Sequence, residues 1–116
     1  MTSYGLEVPP VAEIIHLPVE LVPVEGDGVV SVRAYADDGD AVRLTWDVFA
    51  CSCTIWWMQG DVQRLRIERE LATKVSIRED HGAIEFWCWT RGEDFAGTLV
   101  VRLASCVTVS DTLLRQ

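Results

Sequence analysis

The sequence predicts an all-β fold, an antiparallel β-sandwich of two packed sheets with about eight or nine short strands, with a small barrel as the alternative closure. Three observations carry this. Short segments alternate apolar and polar residues with period two, Gly- and Asp-rich clusters separate them at regular intervals, and no stretch sustains a helical period. At 116 residues the chain has room for one core and none for a second lobe. The expected division is a loose N-terminal lead-in over 1–11 and a single sandwich domain over 12–116.

Taken in order, residues 12–24 are apolar but broken by Pro18 and Pro23. Proline is confined to sheet edges and bulges, so an extended edge strand is expected there. Glu25-Gly26-Asp27-Gly28 reads as a turn. Over 29–35, Val30, Val32 and Ala34 share one face, with Val29, Ser31, Arg33 and Tyr35 on the other. Asp37-Asp38-Gly39-Asp40 supplies hairpin chemistry. Residues 41–49 then turn Val42, Leu44, Trp46 and Val48 inward against Arg43, Thr45 and Asp47.

Beyond Val48 the apolar phase slips by one residue, to Cys51, Cys53, Ile55 and Trp57, although no Gly or Pro lies between 41 and 59. A phase change without a turn signal predicts a bulge or corner near Phe49-Ala50, where a strand would cross between layers. Gln59-Gly60-Asp61 closes the next hairpin, and Leu65 and Ile67 point inward from 62–70. Arg64 to Lys74 also fits two helical turns, and a strand is the preferred reading. Val75 and Ile77 mark a strand over 73–78, ended by Glu79-Asp80-His81-Gly82. Residues 83–90 put Ile84, Phe86 and Cys88 on one face and Glu85, Trp87 and Trp89 on the other. A loop over 91–97, a strand through Leu99, Val101 and Leu103, and a last strand through Val107 and Val109 complete the chain, with 111–116 trailing off.

Ten basic against eighteen acidic residues give a net charge of −8. That balance argues against nucleic acid, which needs clustered Lys and Arg, and against an anionic membrane surface. It favours encounter with a basic protein partner. No apolar run approaches the roughly 20 residues of a membrane span. The first ten residues lack both basic residues and an apolar run, so no export leader and a cytoplasmic location are expected.

The four cysteines, Cys51, Cys53, Cys88 and Cys106, are then expected to be reduced, small and buried. Their spacing is not that of a zinc knuckle, and the Asp-rich turns lack the EF-hand pattern, so no metal and no cofactor is expected. His81 beside Asp80 and Glu79 has no nucleophile at hand, and Cys88 lies well along a strand from it. His16 reads as structural, and no enzyme is expected.

Two groups of residues remain as candidates for an interaction surface. If successive strands are antiparallel, the turns at 37–40, 59–61 and 79–82 fall at one end of the sandwich. Asp37, Asp38, Asp40, Asp61, Glu79 and Asp80 would then form an acidic pole, although Asp and Gly are also simply what turns use. Of the five tryptophans, Trp56 and Trp57 must face opposite ways, and Trp87 and Trp89 share a face. Trp56, Trp87 and Trp89 therefore form either an exposed aromatic patch or a surface covered by residues 1–24 or a loop. The class this fits is a small acidic cytosolic protein-interaction domain, in its concrete form a toxin-neutralising immunity-type protein. That assignment is by type, from size, charge and the absence of a catalytic motif. The alternatives are a subunit of a homo-oligomeric or larger assembly, with strands 51–58 and 83–90 buried between copies, and a small-ligand or metal-binding sandwich.

Overall fold

The computed structural model describes residues 5–115. Among them one short helix, α1 (Val11–Ile14), precedes nine strands: β1 (Glu20–Val22), β2 (Val29–Tyr35), β3 (Ala41–Asp47), β4 (Ser52–Gln59), β5 (Val62–Arg69), β6 (Ala72–Asp80), β7 (Ala83–Arg91), β8 (Phe95–Leu103) and β9 (Val107–Arg115). Every pairing between strands is antiparallel and joins sequence neighbours. The result is a five-stranded sheet in the order β1-β2-β3-β4-β5 and a four-stranded sheet in the order β6-β7-β8-β9. The predicted sandwich is what forms, and neither sheet closes into a barrel.

The alternation read from the sequence builds the core. Val32, Ala34, Val42, Leu44, Trp46, Cys53 and Ile55 from the first sheet meet Val75, Ile77, Phe86, Cys88, Leu99 and Val101 from the second. Phe86, Leu44, Val32 and Val101 are fully sequestered. Burying side chains of this size supplies about 1.5–3 kcal/mol each, which is why period-two patterning decides the fold.

Four expectations need correction. Residues 12–24 are not one extended segment. Pro10, extended at φ −62°, caps α1, which seats Ile14 in the core, and only Glu20–Val22 between the two prolines pairs with β2 as an edge strand. The corner near Phe49-Ala50 is an ordinary hairpin turn, because β3 and β4 pair in the same sheet. Asp47 makes that turn without glycine: its carboxylate accepts the Phe49 and Ala50 amides at 3.0 and 3.1 Å, and Cys51 takes a left-handed φ of 51°. The passage between layers occurs instead at Glu70-Leu71, where Leu71 has φ 58°. Over 64–74 the chain forms β5 and β6, as the preferred strand reading expects. Finally, β8 begins at Phe95, inside the expected loop, and β9 runs to Arg115, because it pairs along the whole of β8.

Residues 5–10 are tied to the domain. Leu6 joins the core, and the Glu7 and Val75 amides donate to Thr73 O and Glu7 O across a parallel bridge at Lys74.

Candidate functional site

Register places the functional candidates. Since all pairing is antiparallel, the turns at 37–40 and 60–61 leave one end of the first sheet, and those at 81–82 and 104–106 leave one end of the second. The Asp37 and Asp38 amides donate to Ala104 O and Ser105 O at 2.8 and 3.2 Å, which joins the two ends. Asp37, Asp38, Asp61, Glu79 and Asp80 are therefore solvent-exposed at one end of the sandwich.

The carboxylates there differ in what they do. Asp40 is 8% exposed, and its Oδ2 accepts the Trp57 indole N–H at 2.9 Å. Asp38 accepts the Asp40 amide at 2.9 Å and so shapes the hairpin. Asp80 meets Arg102 at 3.3 Å, and Arg102 also donates to Glu85 at 2.8 Å. The Glu85 and Asp80 bonds hold the Arg102 guanidinium charged even more firmly than usual. Asp37, Asp61 and Glu79 are left facing water.

The tryptophans do not form one patch. Trp46 is in the core, and Trp57 faces inward beside Val42 and Ile55. Trp56 lies on the outer face of the five-stranded sheet, whereas Trp87 and Trp89 lie on the outer face of the four-stranded sheet. These faces are on opposite sides of the molecule, so Trp56 cannot share a contact area with the other two. All three are half-buried. Trp87 and Trp89 stack at 5.3 Å with 23° between ring planes, and Arg78 lies 4.3 Å from the Trp87 ring centre. The Lys74 ammonium is 5.4 Å from Trp89, and Glu85 accepts the Trp87 indole N–H at 3.1 Å. Cationic stems thus cover the rings that the sequence left looking for cover.

On the first sheet one rung crosses all five strands: Glu20, Arg33, Arg43, Trp56 and Arg66 are successive register partners. Arg43 and Arg66 lie 5.1 and 5.7 Å from the Trp56 ring centre. Arg33 and Arg43 line an open concavity of about 450 Å³ together with Tyr35, Trp56 and Met58, and Gly39 and Gly60 of the acidic turns close one side of it. Sequence reading placed Arg33 and Arg43 on polar strand faces but missed their convergence. The signal was available: a hairpin closed at 37–40 pairs positions equidistant from it.

Cys53 and Cys88 are buried and reach towards each other from opposite sheets, Cys51 is half-buried in its turn, and Cys106 is exposed. A hydrogen bond with Cys88, together with burial, pushes the Cys53 thiol well above its ordinary range, while the same bond pulls Cys88 down. Among the described residues no cluster of three or more His, Cys, Asp or Glu could hold a metal ion. The His81 side chain is 92% exposed, 3.5 Å from Asp80. No helix among them is long and apolar enough to cross a membrane.

No protein-family model and no curated protein sequence matches the chain. A solved structure does. The chain superposes with a TM-score of 0.77 and 14% identity on a chain of a contact-dependent growth inhibition toxin–immunity protein complex from Klebsiella pneumoniae 342, covering 93% of this chain and 96% of that one. At that identity the likeness establishes a shared fold over nearly the whole of both chains.

Proposed function

We propose that this chain is the neutralising partner of a protein toxin, a non-enzymatic immunity-type protein that works in the cytoplasm by docking on its target. The observation that carries the reading is the end-to-end likeness to a chain from a toxin–immunity complex. Charge favours the immunity side of such a pair. A net −8, with Asp37, Asp38, Asp61 and Glu79 exposed at one end, speeds encounter with a basic protein and repels nucleic acid. Half-buried Trp56, between Arg43 and Arg66 on the outer face of the five-stranded sheet, is the aromatic anchor from which such a contact would draw its energy.

The test is co-expression with a growth-inhibition toxin domain encoded beside this chain. The expected result is restored growth and a one-to-one complex on size exclusion. Continued killing, or growth arrest caused by this chain alone, overturns the reading. If Trp56 anchors the contact, Trp56→Ala should weaken the complex by about 2 kcal/mol while the melting curve stays close to wild type. Light scattering on the isolated chain tests the assembly alternative, which requires an obligate multimer.

A further inference from the structure

The rung across the five-stranded sheet is unfavourable as it stands. Arg33 and Arg43 are direct cross-strand partners, and like charges in that position repel. Arg33 is neutralised by Glu20 at 2.8 Å and Arg66 by Glu68 at 3.2 Å. Arg43, on the central strand, makes no ion pair among the described residues. Its side chain is nevertheless held. Arg43 Nε donates to Ser31 Oγ at 2.7 Å, Ser31 shares a hydrogen bond with Thr45 at 2.8 Å, and Trp56 supports the guanidinium from one side. Ser31 is 1% exposed, so this anchor is fixed within the sheet. Arg33 Nε adds a buried N–H with no acceptor. That N–H is enclosed away from solvent, so what faces the concavity is a pre-oriented guanidinium on an indole support, in a lining that includes no carboxylate.

We propose that this concavity receives a carboxylate side chain projecting from the protein partner, bound by Arg43 on the face of Trp56. The inference rests on the protein-docking reading above and names the chemistry of one contact within it. A guanidinium with free Nη donors matches a carboxylate in two parallel bonds, and a flat aromatic support limits the ordering cost. The same donors suit a phosphate, but the surroundings do not suit a nucleic acid. Asp37, Asp38 and Asp61 stand on the turns that close one side, so a polyphosphate strand crossing the concavity would run against them. A single carboxylate within an otherwise basic protein surface meets both features at once.

The test uses the isotope-labelled full chain with the acetylated peptide amide Lys-Lys-Glu-Lys-Lys as the probe, and hexathymidylate titrated separately as the nucleic-acid comparison. Unlike its glutamine counterpart, this peptide should shift the Arg43 Nε and Trp56 indole resonances saturably. Arg43→Gln should weaken it at least fivefold, and hexathymidylate should bind at least fivefold more weakly. Arg43→Gln removes a repulsive pair and should melt no lower than wild type; if it unfolds, Arg43→Lys should retain the fold and show an intermediate affinity. Absence of a saturable shift overturns the proposal. So does tighter binding of hexathymidylate, or a response at Trp87 and Trp89 in place of Trp56. Toxin neutralisation by wild type that Arg43→Gln leaves unchanged sinks this contact alone. Failure of wild type to neutralise, with the rung still taking the glutamate peptide, sinks the docking partner and leaves the carboxylate seat.

Discussion

Asp40 lies among three aspartates of one hairpin, yet its surroundings give it a different job. Asp37 and Asp38 are exposed, whereas the Asp40 carboxylate is buried against the Trp57 indole N–H. Composition alone cannot separate them, because turn chemistry and a buried acceptor use the same residue type. Removing the donor leaves a buried charge short of a partner, so Trp57→Phe should cost about 1–3 kcal/mol, read from denaturant unfolding. Asp37→Ser should stay within about 0.5 kcal/mol of wild type. A second contrast separates tryptophans that share a strand pattern. Trp46 is 1% exposed and fills the core, so Trp46→Ala should cost about 3–5 kcal/mol. The orphaned Trp46 indole N–H makes Trp46→Phe much milder, since that change removes an unsatisfied donor along with the lost volume.

The hairpins show which parts of the fold the sequence makes legible. Period-two alternation located β2, β3, β4, β6, β7 and β8, because each buries one face, and a one-residue slip would expose all of it. The β3–β4 turn was misread because its signal is not Gly or Pro. A single carboxylate on Asp47 holds two amides, and a cysteine adopts the left-handed conformation that glycine would take without strain. For the same reason the layer change, made by Leu71, left no mark in composition. The C-terminal half of β9 was missed because six successive exposed residues give no alternation to read. The acidic end followed from counting turns, whereas the separation of Trp56 from Trp87 and Trp89 depended on knowing where the chain changes sheet. These turns are also where substitutions should tell most. Asp47→Ala should cost about 1–2 kcal/mol by orphaning two amides. Gly28 has φ 74°, and a Cβ there would sit 2.7 Å from both Val48 and Phe49, so Gly28→Ala should cost about 1–3 kcal/mol. Thermal melts of both variants check this, and a melt unchanged by Asp47→Ala would remove the account of the turn.

Across the whole molecule, charge and apolar matter are segregated in a way that net charge hides. Most carboxylates lie in turns and at strand ends, most cations lie on the two outer sheet faces over aromatic rings, and the interior between the sheets holds two facing thiols. Those thiols make the sandwich sensitive to alkali. The contact with Cys88 and burial raise the Cys53 thiol above the ordinary range, while the same contact lowers Cys88. Unfolded, both thiols ionise near pH 8.5. The sign follows from counting protons. Below that pH both folded and unfolded chains keep the Cys53 proton, and its contribution is fully present. Above it the unfolded chain releases a proton that the folded core retains, so stability falls by about 1.4 kcal/mol per pH unit. The pair titrates jointly, so one substitution would leave a lone buried thiol with the same liability. Cys53→Ala with Cys88→Ala should instead flatten the alkaline limb between pH 8.5 and 10, at the cost of a lower plateau. Urea unfolding of both proteins across that range is the measurement. Parallel alkaline slopes would mean that the inter-sheet thiols do not set the pH limit of the fold.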